Sequence, residues 1–220
     1  MDILTPFQKR ILTAIGRSDL TPVFYLTGGT ALAVYHLQHR YSEDLDFFAE
    51  AREAMSGVTT IASEIAGDVD ASVEFTRTFP TFVETFLTNS SGERVKIDFA
   101  FDTPFRLQPT ELDPTYGIRV DNVTDIACNK LAALFGRSEP KDFVDVYFIC
   151  KELMPFAELY QLASQKHVGM THYWLAVAMR NITKVQFLPR MIKPIELATL
   201  RAFFLGLADE LMSSVSEPLA

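Results

Sequence analysis

The chain has 220 residues, of which 48% are apolar and 22% charged, and its formal net charge is −8. A chain this apolar buries enough surface to offset the conformational entropy lost on folding, which excludes disordered, collagen-like and low-complexity proteins. The acidic balance excludes a protein that coats nucleic acid, because phosphate contacts need clustered lysine and arginine.

The first half of the chain predicts helices that alternate with strands. Apolar residues at helical spacing run over residues 5–17, and a short strand at 23–26 leads through Gly28-Gly29-Thr30 into a helix over 31–41. Thr30 is placed to cap the first turn of that helix. Further elements are predicted as strands at 45–48, 73–78, 81–88 and 94–101 and as a helix at 51–65.

The second half of the chain is predicted to be helical. Pro104, Pro109 and Pro114 interrupt regular structure and leave a loop with one short strand at 117–120. Beyond that loop the apolar spacing predicts helices at 123–135, 141–153, 156–165, 172–181 and 195–211. We therefore expect an α+β (α/β) protein with a mixed-sheet lobe over residues 1–121 and a helical lobe over residues 122–220.

Cysteine content and hydropathy predict a cytoplasmic protein. Cys128 and Cys150 match no metal-ligand spacing and are too few for a disulfide framework, so we expect buried thiols in a reducing compartment. No apolar run approaches the roughly 20 residues that span a bilayer, and residues 1–4 lack the features of a signal peptide. No membrane partner is expected.

Two aspartates follow the glycine turn at a spacing that suits a metal. Gly28 and Gly29 let the backbone approach a ligand closely, and the helix that follows offers amides to a phosphate, although plain connection geometry also explains such a turn. Asp44 and Asp46 lie two apart on a strand, so their carboxylates share a face. Such a pair repels itself unless a cation lies between, which favours Mg²⁺; the alternative is a solvated strand end.

A third carboxylate lies on a later strand. Along residues 94–101 the odd-numbered, apolar positions face one way and Asp98 faces the other. A sheet exposed on one side explains this alternation by itself. Together with Asp44 and Asp46, however, Asp98 would complete a two-metal site that activates a hydroxyl and neutralises charge on a triphosphate.

These pieces resemble the AbiEii/AbiGii toxin family of nucleotidyltransferases, within the DNA polymerase β-type superfamily. The resemblance is carried by residues 26–33 (LTGGTALA) and 40–48 (RYSEDLDFF), with Asp98 in the place of the third aspartate. It continues in a helical segment over residues 125–134 and in residues 141–147 (KDFVDVY). It covers about residues 20–150, and it implies an active site in the cleft between the two lobes.

The resemblance implies a role for the glycine turn and for each aspartate. Gly28-Gly29-Thr30 would hold the triphosphate by backbone amides and a hydroxyl. Asp44 and Asp46 would ligate Mg²⁺, with Mn²⁺ as an alternative. Asp98 would be the third ligand, or the base that takes a proton from the acceptor hydroxyl.

Three residues of the helical lobe are implied in nucleotide binding. Lys130 would reach the phosphates as a point charge, and a surface lysine is the alternative. Asp142 and Asp145 share a face of the next helix, where one of them would orient Lys130 or contact the nucleotide. The structural alternative is that one aspartate caps the helix and the other pairs with Arg137.

The segment before the aspartates is predicted to be structural. Arg40 would brace its loop or pair with Asp44. The histidines show no ligand spacing, so no metal is assigned to them. We expect His36 and His39 on the exposed side of the helix that follows the glycine turn.

The implied function is a Mg²⁺-dependent enzyme that moves an NMP from an NTP to an acceptor with loss of pyrophosphate. It would be the toxin of a toxin–antitoxin or abortive-infection phage-defence pair, with a cognate antitoxin as partner and the tRNA 3′ end or a protein side chain as acceptor. An RNA acceptor would meet local positive charge on four residues, with weak and salt-sensitive binding. These are Arg40, Lys130, Arg137 and Lys141.

Two alternatives stay open. One is a small-molecule nucleotidyltransferase that resembles the aminoglycoside-modifying enzymes, because an acidic protein suits a cationic substrate. The other is a non-catalytic nucleotide-binding module of the same fold. The presence of all three aspartates and of the glycine turn counts against the second alternative, since such a module has no reason to cluster like charges.

Overall fold

The structure is a computed structural model that describes residues 2–102 and 105–216; Pro104, predicted to interrupt regular structure, lies outside them. Contacts within the chain divide it into two units. The first comprises Met1–His36 and Ser42–Val123, and the second comprises Leu37–Tyr41 and Thr124–Ala220. The predicted boundary after residue 121 left the segment Leu37–Tyr41 in the first lobe, because a short irregular segment has no periodicity that reports its tertiary contacts.

The first unit contains one sheet and the helices that cover it. Its helices are α1 (Pro6–Gly16), the short α2 (Gly28–Ala31), which continues as a π-helix over Leu32–Leu37, a 3₁₀ turn at Arg52–Met55 and α3 (Val58–Asp68). Its strands are β1 (Phe24–Thr27), β2 (Leu45–Ala49), β3 (Ala71–Phe79), β4 (Phe82–Asn89), β5 (Arg94–Phe101), β6 (Glu111–Asp113) and β7 (Ile118–Val120).

Within the described residues, seven strands form a single mixed sheet in the order β3-β4-β5-β2-β1-β7-β6. The pairs β2–β5 and β1–β7 are parallel, and the other neighbours are antiparallel. The predicted mixed sheet with flanking helices is therefore confirmed. The order places β2 in the middle, next to both the strand before the glycine turn and the strand that carries Asp98.

Alternation of apolar and polar residues explains the central strands. In β2, Leu45, Phe47 and Ala49 are buried and the residues between them are partly exposed. The buried ring of Phe99 on β5 contacts Phe47 and Phe24, with ring centroids 5.8 and 5.5 Å away. Each fully buried ring contributes roughly 1.5–3 kcal/mol relative to an exposed one. One face of the sheet is thus fixed in the core, and the other face is left to polar groups.

The helix predicted over residues 31–41 begins earlier and ends earlier in the structure. It starts at Gly28, becomes π-helical at Leu32 and ends at Leu37, after which Gln38 has a φ of 50°. Thr30 was wrongly predicted as the cap, because it lies inside the helix and its hydroxyl donates to the Asp44 carbonyl. A π-helix widens the turn and resets the faces that follow it.

Two further elements differ from the prediction. The helix expected at 51–65 is interrupted by Gly57, whose φ of 87° breaks the run between the 3₁₀ turn and α3. Strand β6 was not predicted, because its three residues are too few to show an alternating pattern. The predicted strand at 117–120 is confirmed as β7, its antiparallel partner.

The second unit is helical, as predicted. Its helices are α4 (Val123–Gly136), α5 (Pro140–Glu152), α6 (Phe156–Lys166), α7 (His172–Arg180), a 3₁₀ turn at Asn181–Lys184 and α8 (Leu197–Ser216). Phe143 on α5 packs edge-on against Phe204 on α8, with ring centroids 5.0 Å apart. None of the helices that the structure describes is long and apolar enough to cross a bilayer.

Candidate active site

Three carboxylates form a row across neighbouring strands on the polar face of the sheet. Asp46 on β2 is in register with Asp98 on β5, and Asp98 is in register with Glu84 on β4. Neighbouring strands lie about 4.8 Å apart, so residues in register on one face present adjacent side chains. Asp44 precedes Asp46 by two residues, just before β2 begins. We call Glu84, Asp98 and Asp46 the acidic row.

The glycine turn packs directly against the acidic row. Thr27, the last residue of β1, is the register partner of Asp46, and Gly28 follows it with a φ of 71°. A Cβ atom on Gly28 would lie 2.0 Å from Asp46 Oδ2. Only glycine fits here, because the left-handed backbone and the carboxylate both exclude a side chain.

Thr30 links the same turn to Asp44. Its hydroxyl donates a hydrogen bond to the Asp44 carbonyl oxygen, and the Thr30 side chain is fully buried. Gly29 is also buried, within α2. The predicted pieces Gly28-Gly29-Thr30, Asp44, Asp46 and Asp98 are therefore brought together in the first unit.

Lys96 neutralises part of the acidic row. Its Nζ lies 2.6 Å from Asp98 Oδ2 and 3.5 Å from Glu84 Oε2. Burial raises the pKa of Asp98; Lys96 opposes that change, and the negative charges of Asp46 and Glu84 add to it. Partial burial lowers the pKa of Lys96, but its contacts with Asp98 and the nearby charges of Asp44 and Glu84 outweigh burial and raise it. No role was predicted for Lys96 or Glu84 from the sequence.

The donor set suits a hard divalent cation. Asp98 Oδ1 is buried and has no hydrogen-bond partner among the described residues, so one oxygen of this carboxylate is available to a ligand. Carboxylate oxygens are the ligands that Mg²⁺ takes. In residues 2–102 and 105–216, no three His, Cys, Asp or Glu side chains converge into a metal-holding group, and Lys96 occupies the other Asp98 oxygen.

The remaining predicted residues lie in the second unit, where Lys130 contacts Asp145. This carboxylate is fully buried and accepts hydrogen bonds from Arg40 Nε at 2.6 Å and Arg40 Nη2 at 2.8 Å. Lys130 Nζ lies 2.9 Å from its Oδ2, and His39 Nε2 lies 2.7 Å from its Oδ1. The predicted partnership of Asp145 with Lys130 is thus present in the geometry, and Lys130 is buried rather than on the surface.

Burial and neighbouring charges together shift the pKa values of two groups in this cluster. Burial raises the pKa of Asp145, but the charges of Lys130 and Arg40 outweigh it and hold that pKa well below its ordinary value. Burial lowers the pKa of His39 despite its contact with Asp145. The cluster therefore contains one carboxylate, two cations and a neutral imidazole.

One prediction about this segment was wrong, and another was right in part. His39 was expected on the exposed side of a helix and is fully buried. Arg40 was expected to brace its loop or pair with Asp44; it donates a hydrogen bond to the Tyr41 carbonyl, which braces the loop, and it also forms an ion pair with Asp145. Leu37–Tyr41 belongs to the second unit because of these contacts and of the hydrogen bonds from Ile192 and Lys193 to the His39 carbonyl, which no local pattern indicates.

Asp142 has both structural roles that were predicted as the alternative to nucleotide binding: it caps its helix and it pairs with Arg137. Its Oδ2 accepts a hydrogen bond from the Glu139 amide at 3.1 Å, which caps α5. Arg137 donates to its two oxygens at 2.9 and 2.8 Å. Lys141 Nζ lies 3.3 Å from the Glu139 carboxylate. All four cations predicted to face RNA, Arg40, Lys130, Arg137 and Lys141, therefore have carboxylate partners.

Two solved structures with a similar fold are described as nucleotidyltransferases. A candidate nucleotidyltransferase from H. pylori superposes with a TM-score of 0.64 at 16% identity, covering 95% of this chain and 93% of that one. MenT4, the nucleotidyltransferase toxin Rv2826c of Mycobacterium tuberculosis H37Rv, superposes with a TM-score of 0.63 at 18% identity, covering 93% and 81%. The chain therefore shares the fold of these two proteins.

The amino-acid sequence assigns the chain to a protein family. Residues 10–215 match the model of the family described as nucleotidyl transferase AbiEii toxin, type IV toxin–antitoxin system, and the chain belongs to that family. It is a nucleotidyltransferase of a toxin family, as the resemblance implied. An uncharacterized protein of Aquifex aeolicus (strain VF5) is 30% identical over 161 residues, which are 73% of this chain and 74% of that protein.

Proposed function

We propose that the protein transfers an NMP from an NTP to an RNA acceptor in a reaction that depends on Mg²⁺, with Mn²⁺ as a substitute. The observation that supports this most is the register of Asp46 with Asp98, together with the buried Asp98 Oδ1 that has no hydrogen-bond partner among the described residues. Two in-register carboxylates, one with an available oxygen, provide the oxygen ligands of a divalent cation.

Asp44, Asp46 and Asp98 would hold the metal. When bound, Mg²⁺ lowers the pKa of an attacking hydroxyl and neutralises charge on the triphosphate. The chain itself supplies positioning: Gly28 leaves room beside Asp46, and Thr30 fixes the backbone of Asp44 by its hydrogen bond. We also propose Gly28-Gly29-Thr30 as the segment that approaches the triphosphate by its backbone, and Lys130 as a phosphate-binding cation.

The proposed acceptor is RNA, and more specifically the 3′ end of tRNA. A surface pocket of about 330 Å³ in the second unit supports this choice. Its lining includes Arg137, Lys184, Asn181 and Phe187, and Phe187 is 73% exposed. An exposed ring beside cations and an amide suits an unpaired base stacked on the ring with its phosphate on the cations.

The toxin family supports a cellular role as the toxin of a toxin–antitoxin pair, and we propose a cognate antitoxin as partner and phage defence as the setting. Expression of the chain alone is expected to arrest growth. Co-expression with the protein encoded beside it is expected to restore growth. If an Asp46→Ala variant expressed at the same level still arrested growth, toxicity would not depend on nucleotidyl transfer.

The reaction is tested by incubating the protein with each labelled NTP, Mg²⁺ and either total tRNA, total protein or a panel of aminoglycosides. We expect label in tRNA, none without divalent metal, and none with Asp46→Ala or Asp98→Asn. Label in protein or in an aminoglycoside would replace the RNA acceptor. Failure of any acceptor to be labelled, although Mg²⁺–NTP still binds in calorimetry, would favour the non-catalytic nucleotide-binding module.

A further inference from the structure

Lys96 is the cation that the acidic row contains in the absence of metal. Its ammonium lies 2.6 Å from Asp98 Oδ2, a hydrogen-bonded ion pair, and its side chain is only 25% exposed. The same ammonium lies 3.5 Å from Glu84 Oε2, beyond a good hydrogen bond but within ion-pair distance. Lys96 thus pairs with the Asp98 carboxylate, and the Glu84 carboxylate lies near enough to become a second partner.

Glu84 is fixed in the position that would receive this ammonium. Thr76 donates a hydrogen bond to Glu84 Oε1 at 2.6 Å, and Arg77 Nε lies 3.6 Å from the same oxygen. The other oxygen, Oε2, is the one that faces Lys96. The Glu84 side chain is 13% exposed, so its orientation is set by these contacts rather than by solvent.

A divalent cation on Asp98 Oδ1 would lie close to the Lys96 ammonium on Asp98 Oδ2, and the two positive charges would repel each other. Two cations a few ångströms apart in a partly buried site repel each other far more than they would in water. If Lys96 left the site completely, Glu84 Oε2 would lose the positive charge that now faces it. A short movement from Asp98 to Glu84 reduces the repulsion and keeps Glu84 neutralised, and the existing 3.5 Å separation leaves less than 1 Å to close.

We propose that Lys96 is a two-position counter-ion: it pairs with Asp98 in the metal-free protein and moves to Glu84 when a divalent cation takes Asp98. The inference rests on the proposed function, because it places that cation on Asp98. Lys96 and Glu84 are thereby positioning residues that set the metal affinity of the site. In the metal-free protein Lys96 would also keep the carboxylates of the acidic row from repelling one another.

The test measures Mn²⁺ binding to the full chain, without nucleotide, from the electron paramagnetic resonance signal of the free ion. Lys96→Met removes the competitor and is expected to bind Mn²⁺ about ten-fold more tightly. Glu84→Gln removes the receiving carboxylate and is expected to bind about ten-fold more weakly. The double variant is expected to bind within about two-fold of Lys96→Met, because Glu84 acts only by receiving Lys96.

A simple charge effect predicts a different result. If each charge acted independently, the two changes would cancel and the double variant would bind like the parent protein, which would overturn the inference. Arg94→Gln is the matched control, since it removes one positive charge from the same strand, where Arg94 pairs with Glu74 at 2.7 Å on the surface. It is expected to change the affinity by less than about two-fold.

The remaining outcomes separate the inference from the proposed function. Unchanged Mn²⁺ affinity with weaker NTP binding in Lys96→Met would make Lys96 a phosphate ligand and overturn the inference alone. Absence of Mn²⁺ binding in the parent protein and in every variant would overturn both. Thermal melts of each variant establish that the fold is intact, and Lys96→Gln replaces Lys96→Met if the latter unfolds.

Discussion

The backbone of Gly28 lies against the carboxylate of Asp46, so closely that a Cβ atom would stand 2.0 Å from Asp46 Oδ2. This contact joins the glycine turn to the aspartate pair, although 17 residues lie between Gly28 and Asp46 in the printed chain. The antiparallel pairing of β1 with β2 produces it, since Thr27 and Asp46 are register partners. The position of the carboxylate therefore depends on the absence of a side chain at residue 28.

Gly28→Ala is expected to destabilise the fold and to abolish nucleotidyl transfer. A left-handed alanine costs about 1–2 kcal/mol, and displacement of the Asp46 carboxylate adds to that cost. Urea unfolding gives the stability, and transfer of labelled NMP gives the activity.

Gly206→Ala is the control for this substitution. Gly206 lies inside α8, and outside its chain neighbours and the local helix backbone no described atom lies within 4 Å of a Cβ placed there. Alanine favours a helix by up to about 1 kcal/mol, so this variant is expected to keep or increase stability. Full transfer activity in Gly28→Ala would contradict the prediction, because it would show that displacement of the Asp46 carboxylate does not affect the reaction.

Asp145→Asn is expected to destabilise the second unit strongly. Asparagine keeps the shape but leaves Arg40 and Lys130 buried without a counter-charge, which costs roughly 3–5 kcal/mol. The free energy of unfolding at pH 7, from urea titration, measures this loss. A loss below about 1 kcal/mol would contradict the role of this carboxylate as the hub of the cluster.

The same carboxylate predicts how stability depends on pH. Its pKa in the folded protein lies well below that of an unfolded aspartate, about 3.9. Asp145 therefore contributes its full stabilisation above about pH 3.9 and loses it as the pH falls toward the folded pKa. The stability difference between the parent protein and Asp145→Asn is expected to stay constant from pH 8 to pH 5 and to shrink below about pH 3.9.

Lys130→Met separates a structural role from a role in phosphate binding. The Arg40–Asp145 ion pair stays balanced when Lys130 loses its charge, and methionine retains most of the apolar stem. We expect stability to change by less than about 1.5 kcal/mol while KM for the NTP rises at least about ten-fold. A large loss of stability with an unchanged KM would assign Lys130 to the fold alone.

Phe187→Ala is expected to weaken binding of single-stranded RNA without affecting the fold. Stacking of one base on an aromatic ring contributes roughly 1–3 kcal/mol, so the dissociation constant should rise by about five-fold or more. Fluorescence anisotropy with a short labelled oligonucleotide measures this change. Lys184→Ala is expected to weaken binding and to reduce its dependence on salt concentration.

Phe79→Ala is the matched control, because Phe79 is 58% exposed and lies on β3 in the other unit. It should leave RNA binding unchanged. Equal effects of Phe187→Ala and Phe79→Ala would indicate nonspecific contacts with exposed rings and would remove the support for the pocket.

Local patterns were sufficient for most elements of the fold. Strand β5 has the predicted bounds because its alternation is uninterrupted from Arg94 to Phe101. Helix α5 starts within one residue of its predicted start because Pro140 and the Glu139–Asp142 capping box mark it. The π-helix and the break at Gly57 were missed, because periodicity assumes a regular turn that both features interrupt.

The sequence by itself determined the alternation that turns Asp46 and Asp98 away from the core, since side-chain direction in a strand follows from position alone. It also determined the family, because the motifs are short and contiguous. Only the tertiary structure decided that Glu84 joins the acidic row and that Asp145 takes Arg40 as its partner from 105 positions away. Strand register and the pairing of buried charges depend on which distant segments meet, and no local spacing records that choice.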